Sequence, residues 1–132
     1  MATDRQRRIA RIRNRNVAEP PDGRFSNCLL VDGIAYIAGM TLLEGDDVYA
    51  QAKIVFEKIR QLVESAGGTM ADVVKITVYV TDINQRQGVH KARQEYFSGD
   101  FPTATTVQVV ALANPAYKVE VDAIAHIGAG GH

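Results

Sequence analysis

The sequence contains no tryptophan, a single cysteine, and no apolar run of the length that a membrane span requires. With only Cys28, an internal disulfide is excluded, and the histidines at positions 90, 126 and 132 lack metal-ligand spacing with it. We therefore expect no metal and no cofactor. Residues 1–16 are rich in arginine but lack the apolar stretch of a secretory signal, so the expected compartment is the cytoplasm.

The charge of the chain is also unevenly distributed, although the formal net charge is zero. Six arginines lie between positions 5 and 15, and the rest of the chain is acidic on balance. Nucleic acid is therefore not the expected partner of the main domain. Residues 1–15 form either a basic tail attracted to RNA or a membrane surface, or a solvated edge strand, since Arg8–Arg13 partly alternates.

Local patterns predict one domain over residues 16–127, followed by a flexible glycine-rich tail over 128–132. Apolar residues at three- to four-residue spacing predict two helices, Val48–Ala66 and Gln87–Phe97. The Asp32-Gly33 pair suits a type I′ hairpin turn. Runs rich in β-branched and aromatic residues predict five strands besides the arm: Phe25–Val31, Ile34–Ala38, Val73–Val80, Thr103–Leu112 and Tyr117–Ile127.

The last predicted strand separates two faces of the sheet. Val119, Val121 and alternate residues after them form an apolar face for the helices, whereas Glu120 and Asp122 point the other way. Thr106 is expected to share that second face. An α+β two-layer sandwich leaves this face open, and closing sheets around a symmetry axis would shelter it. The pattern favours a homo-oligomer with ligand sites between subunits.

A series of motifs gives a more specific indication. Their order and spacing resemble the signatures of the Rid (reactive intermediate deaminase, YjgF-type) family. The motifs are Gly23–Asn27, Ile37–Gly39, Ala66–Gly68, Val78–Asn84, Phe101–Val107 and Val119–Ala125. The resemblance implies a chorismate-mutase-like fold: a mainly antiparallel mixed sheet with two helices on one face, closing into a homotrimer with a central barrel and ligand sites between subunits.

The resemblance also implies a chemistry. Family members with deaminase activity hydrolyse C–N bonds of reactive enamines or imines, with a glutamate as general acid/base and an arginine that anchors the substrate carboxylate. Glu120 matches the glutamate, but Ala104 stands in the place of the arginine. We therefore expect a small-molecule hydrolase or deaminase that does not act on the usual 2-imino acids. The alternatives are a non-catalytic ligand-binding or protein-interaction trimer, in which Glu120 is structural, and RNA cleavage.

The other candidate substrate-binding positions each have a structural alternative. Phe25 either forms an aromatic wall of the pocket or only packs against its neighbours. Gly39 either permits close approach of a ligand or is a turn glycine. Asn84 either hydrogen-bonds a ligand or caps the following helix. Ala104 and Thr106 occupy positions where relatives carry arginine and cysteine, so both are expected to shape the pocket.

Three further residues are close in sequence to the candidate positions: Arg24, Cys28 and Asp122. Asp122 either raises the pKa of the catalytic glutamate or pairs with Lys75 or Lys118. Arg24 either supplies a cation at the pocket mouth or is solvated. Cys28 is interpreted as a buried, inert thiol, because no adjacent histidine in the sequence offers a base.

Overall fold

The computed structural model describes residues 7–42 and 44–131. Within them, one six-stranded sheet packs against two α-helices, and its strand order is β1-β2-β3-β6-β4-β5. Only β4 and β5 pair in parallel. The α+β sandwich with a mainly antiparallel mixed sheet is therefore confirmed. The elements are β1 Ile9–Ile12, β2 Cys28–Val31, β3 Ile34–Met40, α1 Val48–Ser65, β4 Val73–Val80, α2 Arg86–Tyr96, β5 Thr103–Gln108 and β6 Val119–His126.

The described part of the basic arm is an edge strand. β1 pairs with β2 antiparallel, and its outer edge has no partner within residues 7–42 and 44–131. Its arginines are partly neutralised: Arg8 forms an ion pair with Asp32, and Arg11 lies 2.8 Å from a carboxylate oxygen of Glu19. The edge-strand interpretation is therefore correct for these residues, while residues 1–6 of the predicted arm lie outside the described part.

The hairpin and α1 form where local signals predicted them. Asp32 and Gly33 both have positive φ, 50° and 81°, as a type I′ turn requires. Asp47 caps α1 by accepting a hydrogen bond of 2.8 Å from the Ala50 N–H. The apolar stripe of α1 is fully buried against β3 and β6. The stripe comprises Val48, Ala52, Val55, Phe56, Ile59, Leu62 and Val63.

α2 is the crossover between the parallel strands β4 and β5, so it lies on the same face of the sheet as α1. It packs closely alongside α1. A Cβ at Gly88 would lie 2.6 Å from a methyl group of Val48, and Glu95 accepts a hydrogen bond of 2.6 Å from the Tyr49 hydroxyl. The two-helix layer therefore covers one face of the sheet, and residues 7–42 and 44–131 leave the other face open.

The start of β4 departs from strict alternation. Alternation back from the buried Ile76 would place Val74 on the helix face, but its side chain is 40% exposed while that of Val73 is 5% exposed. The pairing with β6 shifts register between Val73 and Lys75, which marks a β-bulge. An extra residue reverses the alternation on its N-terminal side, so Val73 takes the core position.

The C-terminal segment after β6 has defined contacts. The backbone N–H groups of Gly128 and Gly130 donate to the buried Asp72 carboxylate over 3.0 and 2.7 Å. Residues 128–131 of the predicted flexible tail are thus attached to the start of β4, and residue 132 lies outside the described part. No helix among the described residues is long and apolar enough to span a membrane.

Candidate active site on the open face of the sheet

Glu120 projects from β6, a central strand, onto the open face. Its register partner on β4 is Tyr79, and β3 bulges between Ile37 and Met40 on its other side. This bulge brings Gly39 over the carboxyl group: a Cβ added at Gly39 would lie 2.5 Å from Oε2 of Glu120. Because glycine has no side chain, the carboxyl group fits against the backbone of β3.

The environment of Glu120 favours its protonated form. The side chain is half-buried, and burial, with a smaller effect from the nearby Asp122 carboxylate, raises the pKa of Glu120 above its ordinary value. In the described part of the chain, Glu120 has no hydrogen-bond or ion-pair partner of its own. A raised pKa and an unengaged carboxyl group are the properties of a general acid/base.

Asp122 is held by a tyrosine instead of a lysine. The Tyr79 hydroxyl donates to Oδ2 of Asp122 over 3.1 Å, and burial together with the two carboxylates raises the pKa of Tyr79. The suggested ion pair with Lys75 or Lys118 does not form among the described residues. The Asp122 carboxylate acts on the Glu120 carboxyl group through space, without a hydrogen bond between them among the described residues.

Gly39 lies at the junction of two pockets, each of about 430 Å³. One lies on the open face, and the other lies where β3 ends and β6 begins. Phe25 and Gly39, both predicted site residues, line the second pocket together. Residues that line the first include Leu29, Tyr36, Asp122 and Ile124, and residues that line the second include Asn27, Lys58 and Tyr117.

Lys58 was not found from the sequence. Its Nζ donates to the Thr41 carbonyl over 2.6 Å, and burial lowers the pKa of the amine. In the sequence Lys58 is only a polar position of an amphipathic helix, and no local signal marks it as lining a pocket. Its position follows from how α1 packs beside the end of β3.

The prediction that Thr106 shares the face of Glu120 is wrong. In the parallel pairing of β4 and β5, Ala104 is the partner of Ile76 and Thr106 is the partner of Val78. Both partners are fully buried under the helices, and register partners project to the same face. Ala104 and Thr106 therefore lie on the helix side of the sheet, and a single chain does not bring them to Glu120.

The remaining candidates lie apart from Glu120. Asn84 is exposed in a short 3₁₀ turn, and the cap there comes from Asp82, which accepts a hydrogen bond of 3.0 Å from the Asn84 N–H. The following helix, α2, has Gln85 at its N-cap position and no side-chain cap, so the capping alternative for Asn84 is wrong. The side chain of Arg24 is 80% exposed and lies 3.5 Å from Asp22, which agrees with the prediction of a solvated side chain. Cys28 is fully buried, which raises the pKa of its thiol to about 11.

These features define a class: an α+β domain with a half-buried acid near two pockets, on a sheet whose edges at β1 and β5 have no partner strand among the described residues. A family profile described as Endoribonuclease L-PSP matches residues 16–127. The chain belongs to that family, which is the Rid or YjgF family that its motifs resemble.

Solved structures agree with this assignment. PA3499 of Pseudomonas aeruginosa, a protein of unknown function, is 36% identical with a TM-score of 0.85, and the match covers 90% of this chain and 92% of that chain. RidA from an Antarctic Psychrobacter is 32% identical with a TM-score of 0.80, and the match covers 89% of this chain and 99% of that chain. Rv2704 of Mycobacterium tuberculosis is a member of the YjgF/YER057c/UK114 family. It is 33% identical with a TM-score of 0.75, and the match covers 78% of this chain and 86% of that chain.

Proposed function

We propose that the protein is a Rid-type hydrolase that deaminates a reactive enamine or imine, with Glu120 as the general acid/base. The observation that carries this proposal is the half-buried Glu120 carboxyl, unengaged within the described residues and with a raised pKa, against Gly39 at the edge of two pockets. A carboxyl group in this setting exchanges protons near neutral pH more readily than a solvated one.

The chemistry requires one water molecule, and two protons pass through Glu120 to the imine nitrogen. Glu120 accepts a proton from the water as its oxygen bonds to the imine carbon, and the π electrons of the C=N bond move to nitrogen. Glu120 then returns the proton to that nitrogen. The hydroxyl proton then moves through Glu120 to the amino nitrogen as the C–N bond breaks, so the carbonyl forms and ammonia leaves. Asp122 opposes ionisation of Glu120 and so favours return of the proton.

The site is proposed to lie between subunits of a homotrimer. Two observations support assembly: β1 and β5 leave free sheet edges within the described residues, and the open face carries exposed apolar side chains such as Tyr36, 47% exposed, and Val107, 38% exposed. Glu120 and Ala104 lie on opposite faces of one chain, so a site that uses both positions needs two copies.

The test is a comparison of Glu120→Gln with wild type on imines generated from several amino acids by an amino-acid oxidase. The expected loss in kcat is about 100-fold or more, the usual contribution of a general acid/base. Glu64→Gln, which removes an exposed carboxylate from α1, serves as the matched control and should keep wild-type turnover. Unchanged turnover in Glu120→Gln would overturn the proposal.

The second candidate function is a non-catalytic ligand-binding trimer, and Ala104 is the observation that favours it. If wild type consumes no imine, Ala104→Arg separates the cases. Hydrolysis gained by Ala104→Arg would show an intact catalytic scaffold that lacks only an anchor, and continued inactivity supports the binding function. RNA cleavage, the third candidate, gains little from the described part of the arm, because Arg8 and Arg11 are paired with acidic side chains.

A further inference from the structure

Lys58 on α1 places an amine in the pocket of about 430 Å³ that lies where β3 ends and β6 begins. Its side chain is half-buried, and Nζ donates a hydrogen bond of 2.6 Å to the Thr41 carbonyl. The ion pairs that α1 forms in the described part of the chain involve Lys53 and Arg60 but not Lys58. Buried lysines are seldom left without an acidic partner, so this amine indicates a role other than an ion pair.

Lys58 lies at the margin of the buried stripe of α1. It comes three residues after Val55 and four before Leu62, which places its stem beside the apolar layer under the helix. α1 packs against β3, and Thr41, the residue after β3, accepts the hydrogen bond from the amine. A helix and the end of a strand thus fix the position of Nζ, and a reactive group needs such a rigid support.

The same packing favours the unprotonated amine. Burial lowers the pKa of Lys58, and the nearby Glu44 carboxylate opposes this shift only in part. An unprotonated amine donates one N–H group to the Thr41 carbonyl and still keeps its lone pair free. Lysine amines that are desolvated in this way act as nucleophiles toward carbonyl groups.

The pocket around the amine suits a small, uncharged molecule. Two acids line it, and one of them, Glu19, is paired with Arg11 and Arg13. The other, Glu44, forms no ion pair with any residue that the structure describes, so its charge disfavours an anionic ligand. Apolar side chains make up much of the lining: Val17, Pro20, Pro21, Phe25, Met40 and Leu42. A ligand with an alkyl or aromatic group matches these walls better than an anion.

Three other lysines are exposed and give a comparison within the same chain. Lys53 and Lys91 lie on the helices, with Nζ 5.4 and 4.4 Å from the centroid of the Tyr49 ring. Lys75 is exposed on β4. These three side chains do not line the pocket of Lys58. Their reactivity therefore measures what a solvated amine of this protein does without a pocket.

We propose that Lys58 captures small, uncharged aldehydes in this pocket as a Schiff base. The inference goes beyond the hydrolysis proposed for Glu120, because Glu120 does not line this pocket and takes no part in the step. It assigns the pocket a ligand class, aldehydes with an alkyl or aromatic group, and it assigns Lys58 the role of nucleophile.

The reaction replaces the C=O bond of the aldehyde by a C=N bond and releases water. The lone pair of Nζ bonds to the carbonyl carbon, the π electrons move to oxygen, and one proton passes from nitrogen to that oxygen. The protonated form of Glu44 then donates a proton to the new hydroxyl group. The C–O bond breaks, water leaves, and the nitrogen lone pair forms the C=N bond. The iminium nitrogen returns a proton to Glu44, so amine and aldehyde give imine and water.

The test is reductive trapping of the Schiff base. Wild type is incubated with butyraldehyde or benzaldehyde and sodium cyanoborohydride at neutral pH, and peptide mass spectrometry locates the secondary amine that hydride transfer to the C=N bond leaves. The expected adduct carries the mass of the aldehyde less one oxygen atom. Lys58 should react about 10-fold faster than Lys53, Lys75 or Lys91, although its side chain is less accessible.

Variants and a charged aldehyde give the controls. Lys58→Arg keeps a donor for the Thr41 carbonyl but has no nucleophilic amine, so the adduct at position 58 should disappear. Lys53→Arg changes an exposed lysine of the same helix and should leave the rate at Lys58 unchanged. Glu44→Gln should slow the reaction at Lys58, because water leaves without its proton donor. Glyoxylate, an anionic aldehyde, should favour the exposed lysines over Lys58.

Two results would overturn the inference. One is a rate at Lys58 equal to or below that of the exposed lysines with butyraldehyde and benzaldehyde. The other is a preference of Lys58 for glyoxylate, which would identify the pocket as an anion site. If Lys58→Arg does not fold, the ratio of rates at Lys58 and at the exposed lysines of wild type decides.

The hydrolase proposal fails separately. Glu120→Gln should keep the adduct at Lys58 while it loses imine turnover. An adduct at Lys58 in a wild type without turnover would refute hydrolysis alone, and turnover in a wild type without the adduct would refute aldehyde capture alone.

Discussion

Gly39 and Glu120 face each other so closely that a Cβ at position 39 would lie 2.5 Å from the carboxyl oxygen Oε2. The pair belongs to two adjacent strands, and the bulge in β3 sets their approach. The Glu120 carboxyl group can therefore take this position only because residue 39 on the neighbouring strand has no side chain. This relationship is the most direct target for mutation.

Gly39→Ala should displace the Glu120 carboxyl group, because a Cβ–oxygen distance of 2.5 Å is not tolerated. We expect kcat on an accepted imine to fall about 10- to 100-fold, since small displacements of catalytic groups have effects of this size. Ala38→Gly, at the preceding position, is the control and should lower kcat much less. Wild-type kcat in Gly39→Ala would show that the carboxyl position is unimportant for turnover.

Asp122→Asn should shift the pH dependence of kcat/KM. Asp122 is the smaller cause of the raised pKa of Glu120, after burial, so its neutralisation lowers that pKa without restoring the ordinary value. Because the ionised form accepts the proton from water, the rising limb of the profile should move to lower pH. A limb that stays in place or moves to higher pH would contradict this electrostatic coupling.

Glu57 should contribute stability that is lost in acid. Hydrogen bonds from Arg60, and further ones from Gln61 and Tyr96, lower the pKa of Glu57 to about 2 from an ordinary value of 4.5. Its contribution is present above pH 4.5 and disappears as the pH falls toward 2. We expect Glu57→Gln to be about 1 kcal/mol less stable at pH 7, because the group is partly exposed.

Urea unfolding at a series of pH values measures this effect. The difference in free energy of unfolding between wild type and Glu57→Gln should shrink between pH 4.5 and 2. Tyr96→Phe removes only one hydrogen bond to Glu57 and should show a smaller change. A difference that stays constant over this range would exclude Glu57 as the titrating group.

Asp72 should stabilise the junction between the start of β4 and the C-terminal segment. Its buried carboxylate accepts hydrogen bonds from the Thr69, Gly128 and Gly130 N–H groups. Asp72→Ala leaves these donors without their acceptor, so we expect a loss of about 2 to 4 kcal/mol in chemical unfolding. Faster amide exchange at Gly128 and Gly130 should accompany it, and unchanged exchange would contradict the role of Asp72.

Features set by neighbours in the chain could be read from the sequence. α1 was predicted over Val48–Ala66 and spans Val48–Ser65, because a capping aspartate, an apolar stripe and a glycine pair are all local signals. Features set by the pairing of distant strands could not be predicted from the sequence. β5 was predicted to reach Leu112 but ends at Gln108, since its ladder ends where its partner β4 ends at Val80.

The sequence by itself determined that Glu120 lies on the open face of the last strand, because alternation along one strand follows from backbone geometry alone. Only the tertiary structure decided which residues surround it or lie opposite. The β3 bulge brings Gly39 to Glu120, and parallel pairing with β4 directs Ala104 to the helix side of the sheet, away from Glu120. Register and helix packing depend on contacts between distant segments, and a one-residue shift reverses the face of every side chain in a strand.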